Sequence, residues 1–80
     1  MKTVEECVTK IIGNAVMEDV SQIRPETRLS ELGMDSLEQI ECVLSLEDAF
    51  KIELNEAVLW KLRTVQEVIE AVNQALAAAP

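Results

Sequence analysis

The sequence predicts an all-α fold: a small four-helix bundle, three longer helices plus one short third helix, with a long ordered loop between helices one and two. Three observations predict it. Apolar residues recur at helical spacing in separate stretches of the chain. Two glycines and two prolines leave little punctuation for hairpins. The hydrophobic 49% is almost wholly aliphatic, because Phe50 and Trp60 are the only aromatic residues. Eighty residues make a single domain, 1–80, near the lower size limit for a self-sufficient core.

Thr3 to Glu6 reads T-x-x-E, a capping box. Val4, Cys7, Val8, Ile11, Ile12, Ala15 and Val16 follow at helical spacing, so a first helix ends near Met17, weakened slightly by Gly13. From Glu18 to Met34 the periodicity fails. Pro25 biases Arg24 away from helix, and Asp19, Ser21 and Ser30 suit turns. Val20, Ile23, Leu29 and Leu32 recur there as isolated anchors, which fits an ordered loop pinned to a core. Loops of this length in compact domains tend to be functional.

The second helix starts at Asp35-Ser36, with Asp35 as cap and Glu38 at the third helical position, and runs to about Phe50 or Lys51. Ile52 and Leu54 form a connector. Asn55 caps a brief third helix from Glu56 to about Leu62, containing Ala57, Val58, Leu59 and Trp60. Thr64 to Glu67 is a second T-x-x-E box opening a fourth helix, with Val65, Val68, Ile69, Val72 and Leu76 on one stripe. The tail, about 77–80, should fray.

Seven basic residues face fifteen acidic ones, a formal charge of −8. That field repels phosphate backbones and anionic membranes and attracts basic protein surfaces. Nucleic-acid binding and membrane insertion are therefore not expected. A monomer is expected, and because no basic leader precedes a long apolar stretch the expected compartment is the cytoplasm. An organelle matrix is the other compartment open to it, if a transit peptide has been removed. No apolar run approaches the ~20 residues of a membrane span. Cys7 and Cys42 lack CxxC spacing and the chain has no His, which excludes a zinc site; both are expected as buried free thiols. Without His the usual Ser-His and Cys-His nucleophile pairs are also missing. No EF-hand pattern is present, and no metal site is expected.

On the second helix, Cys42, Val43, Leu46, Ala49 and Phe50 gather on one side as the core face. Leu37, Glu41, Leu44 and Asp48 gather on the other, flanked by Glu38 and Glu47. Two outward leucines among acids fit a docking stripe, with apolar anchors for contact area and carboxylates for steering toward Lys and Arg. Scattered surface leucines fit the periodicity equally well. Ser36 lies where backbone N–H groups lack partners and the helix dipole is positive, so a phosphate there would be favoured. An Asp-Ser capping pair fits the same residues.

Leu32-Gly33-Met34-Asp35-Ser36-Leu37 resembles the Leu-Gly-x-Asp-Ser-Leu attachment motif of the acyl carrier proteins. The resemblance extends through the acidic-aliphatic helix, Leu46-Glu47-Asp48-Ala49-Phe50, Ile52-x-Leu54 and Thr64-Val65-Gln66, in matching order from the first helix to about Ala77. It implies that Ser36 carries covalent 4′-phosphopantetheine, joined by a phosphopantetheinyl transferase, with Asp35 helping to hold that enzyme's magnesium. Leu37, Glu38, Glu41, Leu44, Glu47 and Asp48 would be the recognition helix for acyl-transferring and chain-modifying enzymes with basic docking surfaces. Gly33 would keep the approach to Ser36 uncrowded and permit a positive φ. The resemblance further implies an interior that shelters acyl chains, with Val43, Leu46, Leu59, Leu62 and Ile69 as candidate lining beside their ordinary packing role.

The third helix departs from the family pattern. Ala57-Val58-Leu59-Trp60 stand where members often carry acids, and Trp60 is either a core plug or an extra contact. The function expected is transport of thioester intermediates in fatty-acid or related synthesis, without catalysis. A specialised polyketide or aminoacyl carrier, freestanding or excised from a megasynthase, is a second expectation, and an unmodified helical adaptor a third.

Overall fold

The computed structural model describes residues 3–54 and 61–78, and among them helices dominate. Helix α1 spans Val4–Val16, α2 spans Ser36–Phe50 and α3 spans Val65–Ala78. The short third helix expected from Glu56, with Leu59 and Trp60, falls on residues 55–60 and lies outside the described residues. Its expected end at Leu62 is not helical. The last helix extends to Ala78, and residues 79 and 80 of the tail expected to fray lie outside the described residues.

Each helix begins where its side chains can satisfy orphaned amides. Thr3 accepts from the Glu6 N–H at 3.1 Å, and Glu5 and Glu6 complement the dipole in the first turn of α1. At α3 both halves of the box form: Thr64 Oγ1 accepts from the Glu67 N–H at 3.2 Å, and Glu67 Oε1 accepts from the Thr64 N–H at 3.1 Å. Helices α1 and α2 end in left-handed residues, Met17 at φ 58° and Lys51 at φ 55°. Neither is glycine, so each cap carries a backbone cost of about 1 kcal/mol.

Helix α1 packs against both α2 and α3. Val8 and Ile12 of α1, Cys42 and Leu46 of α2, and Val65, Val68, Ile69 and Val72 of α3 form one buried cluster, which Ile23, Leu29 and Ile52 close from the connections. The spacing i, i+3, i+4, i+7 of the α3 residues is the helical stripe read from the sequence. Two of the expected core positions differ: Ala49 is exposed, and Cys7 is only half-buried.

The segment between α1 and α2 is more structured than a plain loop, holding 3-10 turns at Val20–Gln22 and Leu29–Leu32. Asp19 Oδ1 accepts from the Ser21 N–H at 2.9 Å to start the first turn. Ile23 and Leu29 are anchors as expected, but Val20 is exposed. Gly13 explains how the segment leaves α1. A Cβ there would stand 3.0 Å from the Glu18 carbonyl and 3.3 Å from Ile23 Cδ1, so the chain folds back closely across a position where a side chain would be crowded. A second tie crosses to α3. The Leu29 N–H donates to the Arg63 carbonyl at 2.8 Å, Val65 N–H to Thr27 at 3.0 Å and Gln66 N–H to Pro25 at 2.8 Å. With the isolated antiparallel bridge of Arg28 to Thr64, these bonds strap the segment to the start of α3.

Candidate functional site

Ser36 is the first residue of α2 and is exposed. The sequence places it there through two local devices. Gly33 ends the preceding 3-10 turn at φ 69°, a left-handed conformation that favours glycine, and its N–H donates to Ser30. No atom lies within 4 Å of where a Cβ on Gly33 would stand, so the ground before Ser36 is open. Asp35 then caps the helix in a reciprocal box: its Oδ1 accepts from the Glu38 N–H at 2.8 Å, and Glu38 Oε1 accepts from the Asp35 N–H at 3.1 Å. The box fixes the angle at which the hydroxyl-bearing residue leaves the loop. A primary hydroxyl held at a positive helix end with clear space around it can be esterified and can carry a bulky anionic substituent.

The expected stripe on α2 is distributed unevenly. Leu37 is 63% exposed and Leu44 57% exposed, far more than packing would leave such residues. Ile40, which the sequence reading passed over, is 37% exposed and lies on the same face, at i+3 from Leu37 and i−4 from Leu44. The signal that could have found it is the helix phase it shares with Leu37 and Leu44. Glu41 and Asp48 face solvent, and Asp48 Oδ1 lies 3.6 Å from Lys51 Nζ. Both ends of that pair are exposed, so it adds little.

Glu38 and Glu47 are committed elsewhere. Glu38 spends Oε1 on the cap, and Glu47 accepts the Leu54 N–H on Oε2 at 2.9 Å in a half-buried bond. Glu47 therefore anchors the connector as well as bordering the stripe.

Beneath the site, Val43 and Leu46 line a cavity of about 20 Å³, together with Met34, Gln39 and Cys42. This is little more than the room one water needs. Ile69 and Leu62, the other expected lining residues that are described, do not border it, and Leu59 lies outside the described residues. Cys42 is the one thiol here, and burial pushes it up to about 11. Such a thiol is inert at neutral pH. Among the described residues no group of His, Cys, Asp and Glu is arranged to hold a metal ion, and no helix is long and apolar enough to cross a membrane.

Comparison with known proteins agrees with this arrangement. Residues 3–72 match the family model described as the phosphopantetheine attachment site. The chain is 36% identical over 74 residues to the chloroplastic acyl carrier protein SF2 of Brassica campestris, covering 91% of this chain and 54% of that protein. A chloroplastic acyl carrier protein of Brassica napus matches equally, at 36% over 74 residues. The chain thus spans about half the length of these relatives. The fold superposes with a TM-score of 0.80 on the 3,7-dioxo-octyl actinorhodin acyl carrier protein of Streptomyces coelicolor, at 23% identity, covering 98% of this chain and 94% of that one. The hexanoyl form of the actinorhodin polyketide synthase carrier gives the same TM-score, 0.80, at 24% identity.

Proposed function

The chain belongs to the acyl carrier protein family of phosphopantetheine-bearing proteins, and from that premise we propose that it transports acyl groups on a 4′-phosphopantetheine arm attached to Ser36. The observation that carries the reading is the exposed Ser36 at the first position of α2, framed by the Asp35 cap and the open ground at Gly33. When bound, the arm supplies a terminal thiol that holds acyl groups as thioesters. The protein's own residues do the rest. Ser36 Oγ is the attachment atom. Asp35 gives one oxygen to the helix cap and can turn the other toward a magnesium held by a phosphopantetheinyl transferase.

Leu37, Ile40 and Leu44 supply apolar contact to partner enzymes of fatty-acid or related synthesis, and Glu41 and Asp48 attract basic surfaces. Glu38 and Glu47 border that surface while holding the cap and the connector. Contacts of this kind are small and charge-steered, so partners bind and leave readily. The protein is a carrier and not a catalyst. The reading includes a short helix within residues 56–60 completing a four-helix bundle, a single domain over 1–80, a monomeric state, and a location in the cytoplasm or an organelle matrix.

The test is modification followed by weighing. With coenzyme A, Mg²⁺ and a promiscuous phosphopantetheinyl transferase, the wild type gains the mass of one phosphopantetheine and Ser36→Ala gains none. A wild type left unmodified while a control carrier is labelled in parallel would overturn the reading.

A further inference from the structure

Two spaces meet near the start of α2. The interior cavity of about 20 Å³ and an outer groove of about 410 Å³ share three wall residues, Leu29, Met34 and Gln39. The inner space is far too small for a hydrocarbon chain, since a cavity that holds a benzene-sized apolar ligand measures about 150 Å³. An acyl chain therefore enters the interior only if a wall gives way.

The walls differ in what holds them. Ile12 of α1, Cys42, Val43 and Leu46 of α2, and Val68 of α3 are buried, and moving any of them draws a packed helix from its neighbours. Leu29 is buried too, and its N–H donates to the Arg63 carbonyl at 2.8 Å, which ties it to the start of α3. Met34 and Gln39 are only half-buried. Among the described residues no hydrogen bond holds the Gln39 side-chain amide. Met34 is unbranched and reshapes at small cost. It also fills the one open position of the Leu-Gly-x-Asp-Ser-Leu pattern, so its bulk is a property of this chain. Ser36 borders neither space, but Met34 precedes it by two residues and Gln39 follows one helical turn on, so a thioester reaches them along the arm.

We propose, resting on the attachment of the arm at Ser36, that Met34 and Gln39 form a gate between groove and interior, and that the bulk of Met34 keeps acyl groups on the outer side. Met34 then determines which cargo the protein suits. A saturated chain left in water is disfavoured more with each methylene, whereas a short acyl group loses little there. The protein is accordingly a carrier of short acyl groups, whose thioester stays open to partner enzymes.

The experiment loads the protein from acetyl- and hexanoyl-coenzyme A with a promiscuous transferase, confirms each mass, and follows thioester cleavage by hydroxylamine. In the wild type the two forms should react at the same rate. In Met34→Ala the hexanoyl chain should enter the interior. If it spends about nine-tenths of its time there, it reacts about tenfold more slowly than acetyl, and hexanoylation shifts the Val43 and Leu46 methyl resonances. Met34→Leu, of similar bulk, should react as the wild type does. Gln39→Ala should slow the hexanoyl form in the same direction, and it carries the test if Met34→Ala is too unstable to load. A wild type that already protects hexanoyl over acetyl would overturn the inference, as would equal rates in both Ala variants. A wild type that fails to load at Ser36 would defeat the carrier reading itself, and the gate with it.

Discussion

Glu47 Oε2 accepts the backbone N–H of Leu54 at 2.9 Å, tying the last full turn of α2 to the connector that follows it. An acid that the sequence assigns to the outer face is therefore also a half-buried structural acceptor. Replacing it by Ala removes the partner of an amide that water reaches poorly. Glu47→Ala should cost about 1–2 kcal/mol, whereas Glu41→Ala on the open face should change stability by less than about 0.5 kcal/mol. Urea midpoints of the two variants check the contrast.

Leu44 makes the opposite case, an apolar side chain that is 57% exposed and has little packing to lose. Leu44→Ala should leave the melting temperature unchanged and weaken binding to a partner enzyme about tenfold, the loss expected for a central interface anchor. Leu37→Ala should behave alike. Isothermal titration against a purified phosphopantetheinyl transferase would measure both, and a folding defect in either would remove them from the docking surface.

Gly13 sits in mid-helix, where Ala would ordinarily stabilise by about 1 kcal/mol. Here the added methyl would press on the Glu18 carbonyl at 3.0 Å and on Ile23 Cδ1 at 3.3 Å. Gly13→Ala should thus lower the thermal midpoint instead of raising it. Asn14→Ala, on the exposed neighbouring position, serves as the propensity control in the same calorimetric comparison.

Cys42 sets a pH dependence. Its buried thiol titrates near 11, while in the unfolded chain it would lose its proton in the ordinary thiol range. Below that range both states keep the proton and stability is full. As pH rises toward 11 the unfolded state alone ionises, so stability falls. Urea midpoints of the unmodified protein between pH 8 and 10.5 should decline more steeply for the wild type than for Cys42→Ala. Iodoacetamide at pH 8 should label the half-buried Cys7 first.

Much of the architecture is legible in the residues because it is set locally. T-x-x-E at Thr3 and Thr64 and the Asp35–Glu38 pair fix three helix starts; the last two form both halves of the box, and Thr3 forms its own half with the Glu6 N–H. What escaped the reading is either a local turn or a distant partner. Val20 has the hydropathy of an anchor, but Asp19 caps a 3-10 turn that turns it to solvent. Gly13 looks like a weak point in a periodic pattern because the chain that folds over it arrives later. The Arg28–Thr64 bridge joins residues with no shared local signal. Likewise, the apolar side chain of Ile40 does not say which way it faces, and the carboxylate of Glu47 does not say what it holds. At Ser36 the exposure and the capping frame follow from neighbours in sequence, and so were readable.

The strap between residues 25–29 and 63–66 has a bearing on biogenesis. A polypeptide leaving the ribosome displays Ser36 well before the residues that complete its surroundings have been made. Until then the carbonyls of Pro25 and Thr27 and the amide of Leu29 have water in place of Gln66, Val65 and Arg63. The segment that leads toward Ser36 is thus tied down only once the C-terminal third of the chain has been synthesised.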